Sequence, residues 1–140
     1  MENTFTVKQV DLIMDAAKTL LPVTTAYLAF AAATAKYMFE SGMVMRRGRL
    51  FTLSSVFLLG LASLAGWIIA IAGAVDAARA FRSDNNVHFL TSATRGWSIA
   101  VRGEQAAVVF FFLSVSVYCA LVIYTFVLRG RSALTSSRTE

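Results

Sequence analysis

The chain holds one histidine, His88, and one cysteine, Cys119. A single histidine cannot make a His–His metal motif, and a single cysteine cannot build a disulfide framework, so both are excluded within the chain. Cys119 falls in the middle of a long uncharged run, where a thiol ionises poorly and is a weak nucleophile; it reads as a small core residue. None of the 8 acidic residues lies well inside an apolar run, so no carboxylate pair for proton relay or cation binding is visible. Asp76 stands at the edge of such a run with Arg79 one turn on, the spacing of a helix-end ion pair. No glycine-rich loop precedes a helix in the pattern that cradles phosphate. Met38, Met43 and Met45 lie close together, and thioethers suit Cu(I). Arg46 and Arg47 follow at once, however, and methionine is common filler in apolar helices. The expectation is a chain with no catalytic residue, no cofactor and no metal, hence not an enzyme.

The elements that would have to position any site are dictated by hydropathy. Of the 140 residues, 57% are hydrophobic and 15% charged, against about 25% charged in an average soluble domain. Three runs are long enough to cross a bilayer, which takes about 20 apolar residues. They are residues 19–39, with Lys36 the only charge, residues 50–75 with none, and residues 105–128 with none. Backbone donors and acceptors cannot be satisfied by lipid, so each run is expected to be an α-helix, and the lack of alternation argues against a membrane barrel. The fold class expected is therefore an all-α integral membrane protein with three transmembrane helices. The division is an amphipathic helix at 6–21, spans at 19–39, 50–75 and 105–128, a polar loop at 76–104 and a basic tail at 129–140, all in one membrane domain. No signal peptide, lipidation motif or internal repeat is evident.

The N-terminal segment Thr6–Leu21 is too polar to span. Val7, Val10, Met14, Ala17 and Leu21 recur on one face, with Lys8, Asp11, Asp15 and Lys18 on the other. Thr6 and Gln9 fit a capping box, Lys8/Asp11 and Asp15/Lys18 fit i,i+3 ion pairs, and Pro22 predicts a kink into the first span. In the loop at 76–104, Val87, Phe89 and Thr91, then Trp97, Ile99 and Val101, alternate about a turn-rich Ser92–Gly96. That pattern fits a β-hairpin with one apolar face, with a short interfacial helix as the competing reading.

The net charge of +5, from 13 Lys+Arg against 8 Asp+Glu, is placed for lipid and not for nucleic acid. Arg46, Arg47, Arg49, Arg129 and Arg131 flank the spans, as anionic headgroups favour. Lys18 and Lys36 share a helix face five turns apart, so both can reach opposite interfaces as anchors. Basic residues closest to the spans place the N-terminus outside and the C-terminus in the cytoplasm of a plasma or inner membrane.

The strongest positive signal is a stripe of small residues in the second span: Ser63, Gly66, Ala70, Gly73 and Ala77. Gly60 and Ala62 extend it near its start. Such a face lets another helix approach closely, within the chain's own bundle or from another subunit. Thr25, Ala29 and Ala33 offer a second smooth face, whereas Phe110, Phe111, Phe112, Tyr118, Tyr124 and Phe126 make the third span bulky. The function expected is a non-catalytic structural or accessory subunit of a homo-oligomeric or multi-subunit membrane complex. Its partners would be the bilayer, other membrane subunits or itself, and no nucleic acid. The alternative is a pore-forming oligomer: three spans, a short chain and a basic tail resemble the layout of three-span phage holins. The hydroxyls of Thr24, Thr34, Ser54, Ser55, Ser114 and Ser116 would be its lining.

Overall fold

The computed structural model describes residues 2–41, 47–82 and 88–136, with side chains in 8–41, 47–80 and 95–127. It holds three helices, α1 (Glu2–Glu40), α2 (Arg47–Arg82) and α3 (His88–Ser136). At 1.5 Å per residue they run about 58, 54 and 73 Å, each well beyond the hydrocarbon thickness of about 30 Å. The stretches long and apolar enough to cross a membrane are Lys8–Glu40, Arg47–Ala80 and Arg95–Val127. The last turn of α1 is closed by Ser41, whose backbone N–H and Oγ both donate to the Tyr37 carbonyl, at 3.0 and 2.7 Å.

α2 and α3 form the tight pair, and the glycines show why. A Cβ built on Gly73 would lie 2.6 Å from the Ala100 nitrogen and 2.7 Å from the Gly96 oxygen. One built on Gly96 would meet the Ala77 nitrogen at 2.8 Å and the Gly73 oxygen at 2.9 Å. Gly66 faces Ala107 and Gly103 faces Ala70 in the same way. The contacts therefore pair Gly66 with Ala107, Ala70 with Gly103, Gly73 with Ala100, and Ala77 with Gly96. Both helices step by four, three and four, so two antiparallel helices stay in register, with the alternating spacing of a left-handed coil. At Gly73, Gly96 and Gly103 the hydrogen that takes the place of Cβ points at a facing carbonyl oxygen, the arrangement of Cα–H···O contacts that recur where helices touch closely. Ala70, Ala74, Ala77, Ala100 and Ala107 are all fully buried along this seam.

α1 lies across the pair, mostly against α2. Val10, Ile13 and Ala17 close over Trp67 and the alanines of the seam, with Met14, Leu21, Ile71 and Trp97 around them. Further along, Leu28 fills the notch at Gly60, where a Cβ would meet its side chain. Ala31 then packs with Val56 and Tyr118, and Ala35 and Met38 with Leu53 and Leu121.

Three expectations need correction. The N-terminal amphipathic segment is not a separate helix: α1 begins at Glu2, ahead of the expected cap at Thr6, and continues through Pro22 without interruption. Its apolar face is held on the seam, so tertiary packing keeps the segment collinear with the span. Pro22 removes only the bond to the Lys18 carbonyl, a loss that a packed helix tolerates. The side chains of Thr6 and Val7 lie outside the described residues. Second, the β-hairpin does not form: α3 runs as helix from His88 through the whole of Phe89–Val101, and no strand occurs among the described residues. A helix brings Gly96, Ala100 and Gly103 onto one face against α2, which a strand would split between two faces. Third, the polar loop expected at 76–104 is mostly helix, since α2 reaches Arg82 and α3 starts at His88. Val87 falls outside the described residues.

The seam makes a graded prediction. Gly73→Ala and Gly103→Ala press a methyl against backbone that cannot rotate away, and each should cost about 1–3 kcal/mol, the usual scale of overpacking. Gly60→Ala meets only the flexible end of Leu28 and should cost less. Gly48→Ala, with nothing within 4 Å of its Cβ, should change stability by no more than about 0.5 kcal/mol. Thermal unfolding in mild detergent reads the order directly, and equal melting temperatures for all four would remove the close seam.

Candidate functional site

The sequence-derived stripe is now accounted for residue by residue. Gly66, Ala70, Gly73 and Ala77 face α3 as described above, and the buried Ser63 donates its Oγ hydrogen to the Ala107 carbonyl at 2.7 Å. Sequence reasoning missed the other half of this contact. Gly96, Ala100, Gly103 and Ala107 carry the same small-residue spacing as α2, but they were divided between a hairpin, a polar loop and the start of a span. The repeat of that spacing was the available signal.

Midway along the bundle one polar node joins all three helices. Ser114 is fully buried, and its Oγ donates to the Val56 carbonyl of α2 at 2.8 Å. The hydroxyl carries one hydrogen, so the 3.0 Å contact with Tyr27 has the Tyr27 phenol of α1 as donor. The Tyr27 ring is set by edge contacts with Phe111 at 5.5 Å and Tyr118 at 6.0 Å, and Phe30 meets Tyr118 at 6.3 Å. The node is a structural bracket: each polar atom has its partner, and it contains no acid, base or nucleophile of ordinary strength.

The remaining hydroxyls mostly serve their own helices. Thr24 bonds Leu20 O, Thr34 bonds Phe30 O, Ser55 bonds Phe51 O and Ser116 bonds Phe112 O, all at 2.8–2.9 Å. Ser54 is exposed, and Thr24 is buried. With Thr24 and Ser114 buried, Thr34 and Ser55 half-buried, and Ser54 and Ser116 exposed, the six hydroxyls do not share one level of burial.

Charges gather at two levels. On α1, Lys18 donates to Asp15 at 3.4 Å and Lys36 forms an ion pair with Glu40 at 3.8 Å, all four exposed. Expected pairs at Lys8/Asp11 and Asp76/Arg79 are not made. Leu28 sits over Gly60, so ten residues away in each chain direction Lys18 stands level with Ala70, which faces Gly103 beside Arg102. At the other end, the Arg49 guanidinium lies over the Tyr124 ring, 5.9 Å from its centroid, and Lys36 comes level with Thr52. Lys18 and Lys36 are 18 residues apart on α1, about 27 Å of helix, and the uncharged runs at residues 50–75 of α2 and 105–128 of α3 extend about 39 and 36 Å. Arg47 is exposed at the start of α2. Arg46 is outside the described residues, as are the side chains of Arg129 and Arg131.

Of the other residues weighed for chemistry, Cys119 is exposed on α3 rather than in the core, because the helix turns the neighbouring Tyr118 inward instead. Met38 is buried among Ala35, Leu53 and Leu121, while Met43 and Met45 lie outside the described residues, as does the side chain of His88. No group of three His, Cys, Asp or Glu able to hold a metal occurs among the described residues.

The bracket can be tested as a cycle. Ser114→Ala removes both hydrogen bonds and Tyr27→Phe one, each interhelical bond being worth about 0.5–2 kcal/mol. Tyr27→Phe should therefore destabilise the native chain and have little further effect in the Ser114→Ala background. Additive losses in thermal unfolding would show that the two hydroxyls do not act together.

Comparison of the chain with protein-family models, with curated proteins and with solved structures finds no match in any of the three.

Proposed function

We propose that the chain is a non-catalytic integral membrane protein, a structural or accessory subunit of a homo-oligomeric or multi-subunit complex. Three long apolar helices support the membrane part of this reading. So does the spacing of Lys18 and Lys36 on α1, whose 18 residues span about 27 Å, near the hydrocarbon thickness of about 30 Å. In this reading Lys18 and Arg102 anchor one interface, and Lys36, Arg47 and Arg49 the other, with Arg46, Arg129 and Arg131 adding charge to the latter. In this reading the ends of α1, α2 and α3 beyond the first interface, packed around Ala74 and Ala77, form a short helical head in water.

The observation that carries the subunit reading is the outward face of α1. The glycine stripe of α2 is covered by α3 within the chain. Thr25, Ala29 and Ala33 remain exposed, and the Thr25 hydroxyl is turned back to the Leu21 carbonyl at 2.9 Å. In lipid, helices associate by close packing of such smooth faces, since no hydrophobic effect separates protein from acyl chains. In this reading the partner face lies on α1, because α3 already covers the stripe of α2.

Ala29→Leu and Ala33→Leu should lower the native mass in mild detergent while leaving the melting temperature of the bundle nearly unchanged. Gly66→Leu should do the reverse, unfolding the chain before it dissociates. Full assembly in both alanine variants would remove α1 as the contact. The wild-type protein should be silent in planar bilayers across a range of voltages; reproducible channels would overturn the subunit reading in favour of a pore.

Orientation follows the basic residues nearest the spans: N-terminus outside, C-terminus cytoplasmic, in a plasma or inner membrane. In a Cys119→Ser background, an impermeant thiol reagent added outside should label Arg79→Cys and spare Gly48→Cys. The opposite pattern would invert the topology.

A further inference from the structure

At the edge of the uncharged run of α3, Arg102 and Glu104 stand on either side of Gly103. Arg102 is exposed and Glu104 is half-buried. The ion pairs among the described residues are Lys18–Asp15 and Lys36–Glu40, and neither Arg102 nor Glu104 enters one.

The helix sets where each of them points. Trp97, Val101, Glu104, Val108 and Phe111 follow at steps of four, three, four and three, so they share one face of α3. Trp97, Val101 and Val108 pack onto the core cluster that holds Val10, Ile13 and Ala17 of α1. The Phe111 ring meets Tyr27 of α1 at 5.5 Å. Glu104 is therefore on the α1 side of α3. Tyr27 with Ser114, and Ala31 with Tyr118, put the two helices in parallel register. That register brings Glu104 level with Ala17, a buried apolar residue. Lys18 next to it is held by Asp15 at 3.4 Å. The carboxylate thus stands partly desolvated among apolar neighbours, and such a group gains from a counter-charge brought within reach.

Arg102 is turned about 200° from Glu104, toward the far side of α3, and differs from it in height by only about 3 Å. In a membrane, copies of one chain with the same topology are related by rotation about the bilayer normal. Rotation leaves height unchanged, so groups on different copies meet only when they sit at nearly the same depth. Arg102 and Glu104 meet that condition from opposite sides of the helix. Complementary groups on opposite sides make a head-to-tail contact, which repeats until it closes into a ring, whereas a two-fold pair needs both groups on one patch.

We propose that the chain assembles with further copies of itself into a closed head-to-tail ring, in which Arg102 of one copy pairs with Glu104 of the next. The inference rests on the membrane reading given above, which gives all copies one orientation, and it chooses the homo-oligomer among the subunit assemblies. Glu104 looks toward α1, so the receiving side of the contact is bordered by the helix that carries the smooth outward face. The charges select a second copy over an unrelated subunit, because the chain carries both halves of the pair at one depth and joins neither to a partner of its own.

The test uses the full chain purified in mild detergent, with native mass read at a fixed concentration. The wild type should hold three or more copies. Arg102→Glu and Glu104→Lys should each weaken assembly by about tenfold or more, as repulsion replaces attraction. Both substitutions in one chain reverse the pair and should restore the wild-type mass. Arg95→Glu makes the same charge change about 10 Å away in height on the face of Arg102, and should leave the mass unchanged. Cross-linking in a Cys119→Ser background gives a reading that needs no charge reversal at half-buried Glu104. Arg102→Cys chains mixed with Glu104→Cys chains should form disulfide-linked dimers, and neither variant alone should. A chain with both of these substitutions should give a ladder beyond the dimer. Linked dimers from Arg102→Cys alone, or a ladder that stops at two, would make the contact two-fold and overturn the ring. A monomeric wild type, a folded charge swap that assembles no better than the single variants, or a mixture that does not cross-link would each overturn the proposal and leave the membrane reading intact. Failure of the chain to insert into lipid vesicles would instead overturn the membrane reading.

Discussion

The close approach of α2 and α3 sets the geometry of everything else. Two helix backbones can come this near only where neither carries a side chain between them, and the glycines at 66, 73, 96 and 103 supply that on alternating sides of the seam. Each is met by an alanine or glycine backbone and not by a flexible side chain. The contact is therefore rigid, and it fixes axial register as well as distance. Dispersion between tightly packed backbones, with weak Cα–H···O contacts, holds the two helices together.

From that seam the position of α1 follows. Small residues leave a shallow surface on the joined pair, and Val10, Ile13 and Ala17 fit against it. Leu28 in the Gly60 notch then sets how far along α2 the first helix is advanced. This register brings Lys18 level with Ala70, which faces Gly103, and Lys36 level with Thr52, about one turn from Arg49. The Tyr27–Ser114–Val56 bracket ties all three helices at mid-height, where a hydroxyl left without a partner would be costly.

The same asymmetry gives the bundle two unlike ends. Toward the α2 C-terminal end the two helices touch by backbone at Gly73, Ala77, Gly96 and Ala100. At the α2 N-terminal end larger side chains, Leu53, Leu121 and Met38, take over the packing, and a groove opens beside Arg49.

Length and hydropathy determined three long helices directly, because a run of some 20 uncharged residues has few other ways to satisfy its backbone. The smooth face of α2 was also legible, since spacings of three and four need no partner to be recognised. What α2 packs against was not. Gly96, Ala100 and Gly103 sit among Arg95, Arg102 and Glu104, and the charges masked a helical face that local alternation between Phe89 and Val101 made resemble strands. Helix and strand compete closely over so short a stretch, and only the complementary spacing on α2 decided it. The same holds for Pro22: locally it marks a break, but a helix held on the seam at Ala17 and in the Gly60 notch at Leu28 continues through it. Cys119 and Tyr118 make the point at the level of one residue. Hydropathy alone could not say which of the two turns inward, because that depends on the rotation of α3 about its axis, and the seam sets that rotation.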